Sequence, residues 1–221
     1  MDATTKTIEE LRTAVQLWVD DKAMHEAIGG VGGSGKTTAV MQALKSKAVH
    51  YIPNCSEFEL YKQLVEAQIF GAHYVVIDDV PPTLFKAPRS SAVLKAALEN
   101  TRDRKISWFS NRTGRGKVPP ECTIKYKIIL IMNGDISQNE HAKAVLSRCY
   151  TVEHLPSGES TLAFAEEQGI LPKTMVEKLR GIGVPPYLDI RFLKKLLVTY
   201  KEGLDWQQSY REYIKDQIRG H

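Results

Sequence analysis

Cysteine is scarce in this chain, and long apolar runs are missing. The three cysteines, Cys55, Cys122 and Cys149, are far apart and follow no metal-ligand spacing. They supply neither a disulfide framework nor a thiolate metal site, and they suit a reducing compartment. No run approaches the ~18 apolar residues of a membrane span. Residues 1–6 lack the basic segment and apolar core of an export signal, so a cytoplasmic location without membrane contact is expected. No internal repeat or low-complexity tract is visible. A net charge of +4 permits a polyanionic partner without demanding one. The remaining composition, 43% apolar and 25% charged over 221 residues, is that of an ordinary globular protein with one domain and an appendage, or two small domains.

The most informative stretch is residues 29–38, Gly-Gly-Val-Gly-Gly-Ser-Gly-Lys-Thr-Thr, which contains G-x-x-x-x-G-K-[ST] at 30–37. This is the Walker A pattern of a phosphate-binding loop. Ala27 and Ile28 before it can end a strand, and residues 38–45 after it carry helix formers, so the strand, loop and helix the motif needs are in place. Successive N–H groups of such a loop, together with the positive end of the next helix, hold a β-phosphate where side chains would clash. Gly30, Gly32, Gly33, Ser34, Gly35, Lys36, Thr37 and Thr38 are the predicted nucleotide contacts. Lys36 would reach the β- and γ-phosphates, and the Thr37 hydroxyl would ligate Mg²⁺.

Around this loop, strands and helices alternate. Residues 7–24 have Ile8, Leu11, Val15, Leu17 and Trp18 mostly at helical spacing, giving an amphipathic helix ahead of the first strand. A strand is expected at 48–52, stopped by Pro53, and a helix from Ser56 to about residue 70. Residues 73–80 form an apolar β-branched run that closes in Asp78 and Asp79, the pattern of a buried parallel strand with a Walker B ending. Asp78 would hold Mg²⁺ directly or through water, and Asp79 would polarise the attacking water. A helix is expected at about 90–102, and a second buried strand at 128–133 ends in Asn133. That side chain could hydrogen-bond the γ-phosphate or the lytic water, or simply form a turn. A helix at about 138–147 and a strand at 150–153 follow, with Arg148 where they meet. From residue 159 onward everything reads helical, and Arg191 falls in the first turn of the helix at about 188–201.

Between these strands, residues 106–109 and 123–127 are strand-like and flank a glycine-rich basic turn containing Arg112, Arg115 and Lys117. Residues 99–127 hold eight Lys or Arg against three acids, a local excess of five that leaves the rest of the chain at −1. Such a concentration suits contact with a phosphate backbone, and it also suits an ordinary solvated loop.

Taken together, Walker A, Walker B (Asp78, Asp79), Asn133 as sensor 1, Arg148 and Arg191 as sensor 2 stand in the order found in AAA+ ATPases, which this chain resembles over nearly its whole length. The resemblance implies an α/β fold: a P-loop NTPase three-layer parallel sheet of AAA+ type at 1–155, with the hairpin insert at about 105–127. A small helical lid domain would follow at 156–221. It implies ATP and Mg²⁺ as cofactors and Lys36, Asp79, Asn133, Arg148 and Arg191 as catalytic groups. It also implies a homo-oligomer, a ring or filament, in which Arg148 completes the neighbouring subunit's site. An arginine finger of this kind contributes on the order of 10³–10⁵ in rate.

The basic hairpin ahead of sensor 1 is similar to that of the branch containing superfamily 3 viral helicases and short phage or plasmid ATPases. That similarity implies DNA as a partner, with Arg112, Arg115 and Lys117 on phosphates. The lid arginine, and the lack of an origin-binding or nuclease domain, favour a loader, remodeller or translocating subunit over a self-sufficient helicase. Two other readings stay open. One is an ATP-gated scaffold or switch with a protein partner and weak hydrolysis. The other is a small-molecule kinase or GTPase, although Asn133-Gly134-Asp135 lacks the lysine of a guanine-reading segment.

Overall fold

The computed structural model describes residues 3–20, 25–113, 118–134 and 142–219, with side chains to 217. Its centre is a six-stranded, wholly parallel sheet in the order β1-β8-β2-β7-β4-β3. The strands are β1 (Ala3–Thr5), β2 (His25–Gly30), β3 (Val49–Ile52), β4 (Tyr74–Ile77), β7 (Lys127–Ile131) and β8 (Cys149–His154). Successive residues of the inner strands feed opposite faces, because side chains alternate across a sheet. Val75 and Ile77 of β4, with Ile128 and Leu130 of β7, enter the core under α3 (Glu57–Ile69) and α5 (Pro88–Ala97). Val76, Ile129 and Ile131 enter the core under α1 (Ile8–Asp20) and α2 (Lys36–Ala43). Burial on both faces explains why β4 and β7 read as unbroken apolar runs.

Where expected helices and strands moved, the cause is local. The helix expected at 90–102 is α5, which starts at Pro88 and ends at Ala97, and a short helix that was not expected, α4 (Pro82–Lys86), precedes it; Pro82 and Pro88 each occupy a first helical turn, where a missing N–H costs nothing. A strand, β1, precedes α1 and pairs with the sheet edge. Its three residues are too few to carry a periodicity.

The insert forms its own two-stranded antiparallel sheet, β5 (Arg104–Ser107) with β6 (Glu121–Ile124), in register Ser107 to Glu121 and Arg104 to Ile124. It packs through Trp108, whose ring lies 5.8 Å from Phe58 and 6.0 Å from Tyr61. The tip, including Arg115 and Lys117, lies outside the described residues, as do 135–141, the start of the helix expected at 138–147. The described part of that helix is α6 (Lys143–Leu146).

After β8, the chain forms α7 (Gly158–Glu167), α8 (Lys173–Ile182), α9 (Ile190–Lys201) and α10 (Trp206–Arg219). These share a separate core of Leu162, Met175, Leu179, Leu188, Leu193, Trp206 and Tyr210. Phe164 and Ile190 leave that set to enter the core beneath α1 and α2, so the helical lid is docked on the sheet domain.

One part of β2 breaks the apolar pattern. His25 and Glu26 are buried at its start, and neither carboxylate oxygen of Glu26 has a hydrogen-bond partner. Burial pushes Glu26 up to about 8, against the pull of Lys127. His25 Nδ1 accepts from the Ile128 N–H at 3.0 Å, and its Nε2 lies 2.6 Å from the Arg104 guanidinium. Burial, followed by the Arg104 charge, holds its imidazole down to about 3.

Candidate active site

The loop between β2 and α2 lies at the carboxyl ends of the strands, where open α/β sheets place their ligands. Its shape requires glycine at particular points. Gly30 has φ +136°, and a Cβ there would run into the carbonyl of His154. Gly33 (φ +74°) and Gly35 (φ +90°) are left-handed, and Gly35 is the residue from which α2 starts. His154 ends β8 and ties three segments together. Its Nε2 donates to the Ser34 carbonyl at 3.1 Å, and its Nδ1 accepts from the Thr5 hydroxyl at 2.9 Å. Burial lowers its pKa to about 4, which keeps the ring neutral and suited to that pair of bonds.

The cleft above the loop is lined by Gly33, Ser34, Gly35, Lys36, Thr37 and Thr38 from the loop and α2. Asp78 and Asp79 follow β4, Ile131 and Asn133 come from β7 and its exit, and Ile190, Arg191 and Lys194 come from α9. Lys36 is 5% exposed. Its Nζ donates to the carbonyls of Gly30 (2.9 Å) and Val31 (2.7 Å) and to Asn133 Oδ1 (3.3 Å). Burial brings its pKa down to about 8, while Asp78 and Asp79 oppose the shift and Arg191 adds to it. Asn133 passes the contact on, its Nδ2 donating to Asp79 Oδ1 at 2.9 Å. Lys36, Asn133 and Asp79 thus form one connected line across the cleft.

A second set of contacts centres on Asp78, which is 6% exposed. The Thr37 hydroxyl donates to Asp78 Oδ2 at 2.9 Å, and Asp78 Oδ1 accepts the N–H of Asp79 at 2.9 Å. Two hard oxygen donors side by side, 2.9 Å apart at the cleft, suit Mg²⁺, which takes few protein ligands and completes its shell with phosphate and water. No group of three or more His, Cys, Asp or Glu among the described residues could hold a metal by itself. Asp79 is, among the described residues, the one non-glycine with positive φ, at 50°. Asp accepts that conformation more readily than most residues, which gives a backbone reason for aspartate here.

The lid reaches the loop directly. Ile190 N–H donates to the Gly33 carbonyl at 3.0 Å, and the Tyr187 hydroxyl donates to the Gly32 carbonyl. The carboxylate of Asp189 lies where a Cβ on Gly33 would be, while also capping α9 by accepting from Arg191 N–H at 2.6 Å. Arg191 and Lys194 follow at i and i+3, one turn apart on the same face.

Of the predicted nucleotide contacts, Gly30 and Gly32 do not line the cleft, and Arg148 and Arg112 lie outside it as well. Arg148 donates to Glu99 at 2.9 Å and to the Ala144 carbonyl of its own chain, away from the loop. Arg112 stands 5.6 Å over the Phe58 ring beside the hairpin. Most of the hairpin's other cations are engaged. Arg104 is buried against His25 and the Tyr126 carbonyl, Lys105 pairs with Glu121 at 2.7 Å, Lys125 pairs with Asp103 at 3.4 Å, and Lys127 bonds the Trp18 carbonyl at 3.2 Å. Asp103 and Glu121 are already subtracted in the excess of five, so these pairs fix where the charge sits without lowering it, and burial takes Arg104 alone of these cations off the surface.

Sequence reasoning missed Tyr51, His154, Tyr187, Asp189 and Lys194. Lys194 was legible from its helical spacing to Arg191. The other four are brought in by pairings across the fold that no local pattern announces.

No protein-family model matches the chain, and no curated protein matches it in sequence. Among solved structures it is similar to Brucella abortus NtrX in complex with ADP, with a TM-score of 0.53 at 14% identity, covering 86% of this chain and 50% of that one. The chain thus spans half the length of that neighbour. At this identity the likeness is one of fold: a six-stranded parallel sheet between helices, with the phosphate-binding loop after β2 and further helices at the C-terminal end, an α/β architecture.

Proposed function

We propose that the chain is a Mg²⁺-dependent ATPase of AAA+ type that acts on DNA as a homo-oligomer. The observation that carries the catalytic part is the convergence of Lys36, Asn133 and Asp79 in one line beside the Thr37–Asp78 pair. Loop N–H groups and Lys36 would hold the β- and γ-phosphates, and Thr37 and Asp78 would hold the metal. Bound Mg²⁺ supplies charge neutralisation on the phosphate oxygens. The Asp79 carboxylate, held at one oxygen by Asn133, keeps the other oxygen for orienting water in line with the γ-phosphate and taking up its proton. Arg191 and Lys194 bring positive charge from the lid, and Arg148 would serve a neighbouring subunit once released from Glu99.

For DNA, the support is the hairpin with Arg112 and the exposed Phe109, together with the basic sequence between its strands. The ion-paired Lys105 and Lys125 favour a second reading, in which nucleotide state gates a protein partner.

Hydrolysis by the purified protein, with and without single- and double-stranded DNA and with Lys36→Ala as blank, separates the two. Stimulation by DNA that fades with added salt supports the first reading. Turnover indifferent to DNA, together with wild-type affinity in Arg112→Ala, overturns the DNA part. No turnover and no nucleotide binding overturns the whole.

A further inference from the structure

Tyr51 lies on β3, the edge strand beside β4, with 42% of its surface exposed. Its hydroxyl nevertheless donates to Asp78 Oδ2 at 2.5 Å, the same oxygen that accepts from Thr37 at 2.9 Å. The other oxygen of that carboxylate takes the Asp79 N–H. Three donors therefore fix the carboxylate, and rotation about its last bond would break all of them. Of the three, Thr37 faces the cleft and the Asp79 N–H belongs to the neighbouring backbone. Tyr51 alone approaches from another strand.

We infer that Tyr51 is a positioning residue for the metal-holding carboxylate, orienting Asp78 so that its oxygen and the Thr37 hydroxyl converge on Mg²⁺. This rests on the metal reading of Thr37 and Asp78 above. Outer partners that orient ligating carboxylates typically contribute 10–100-fold to metal affinity. A half-exposed ring on an edge strand contributes little to the core, so Tyr51→Phe removes one hydroxyl and leaves the fold in place.

The test reads nucleotide affinity rather than turnover. A fluorescent ADP analogue is titrated in EDTA and then across a Mg²⁺ series, for wild type, Tyr51→Phe and Asp78→Ala. Tyr51→Phe is expected to match wild type in EDTA within about twofold, and to need roughly tenfold more Mg²⁺ for half of the metal-dependent tightening. Asp78→Ala is expected to lose most of that tightening. An unchanged Mg²⁺ series in Tyr51→Phe, or an equal loss with and without metal, overturns the role of Tyr51. An unchanged series in Asp78→Ala overturns the metal reading beneath it.

Discussion

Two residues in the cleft have properties that single substitutions can isolate. Asp79 combines a left-handed backbone with a carboxylate bonded to Asn133. Asp79→Asn keeps a residue that tolerates this backbone and removes only the charge. Hydrolysis should fall by about 10²–10⁴ while nucleotide affinity stays near wild type, as read by single-turnover hydrolysis beside equilibrium binding. Asp79→Glu would place a longer side chain on the same strained backbone and lose the Asn133 contact. Burial disfavours the Lys36 charge and brings its pKa down to about 8. Phosphate favours the charged form, so the complex holds the proton to higher pH than the free protein does. Affinity should therefore be fullest below pH ~8 and weaken as pH rises through it. A pH series of nucleotide titrations checks this, and Lys36→Arg, which stays protonated, should abolish the slope.

Among the C-terminal helices, α9 lines the cleft with Ile190, Arg191 and Lys194. Arg191 is near enough to depress the Lys36 pKa, and Lys194 lines the same cleft one turn on. Cations placed over the γ-phosphate discriminate by charge. Arg191→Ala and Lys194→Ala should each weaken a non-hydrolysable triphosphate several-fold more than the diphosphate, roughly 1 kcal/mol of selectivity apiece. Competition binding of the two nucleotides measures it.

How much of this was legible follows the length of the signal. The Walker A loop, α2 and the strand into Asp78 each lie within a dozen residues, and local spacing states their chemistry. Asn133 and Arg191 were placed by their order along the chain. His154 reaches the loop across 120 positions and Tyr187 across 155, and such a contact exists only after the sheet has closed and the lid has docked. The hairpin was legible as strands but not as a charge surface, because which lysine finds a carboxylate depends on the register of β5 and β6. The three-residue β1 had no pattern to read.

For the molecule as a whole, stability against pH should carry two opposed slopes. His25 and His154 are held neutral at about 3 and about 4, below the ordinary histidine value of 6.5. The unfolded chain binds those protons first, so stability is lost as pH falls from about 6.5 towards 4. Glu26 works the other way. Its folded value of about 8 lies above the ordinary 4.5, so the folded chain keeps a proton that the unfolded chain releases, and stability falls as pH rises from about 4.5 to 8. Glu26→Gln should remove the second slope and leave a protein more stable than wild type by about 1–3 kcal/mol at pH 8. Urea unfolding at pH 5, 6.5 and 8 reads both arms.

The lid contact at Gly32 and Gly33 extends beyond the cleft. Two carbonyls of the phosphate loop are capped by donors from the C-terminal part of the chain, Tyr187 and Ile190, and the Ser34 carbonyl is held by His154 at the end of β8. The Ile190 amide hydrogen is sheltered by Gly33, so it can exchange with solvent only when the two bodies separate. Its exchange rate is therefore a clock for lid opening that needs no nucleotide, no partner and no turnover to be read.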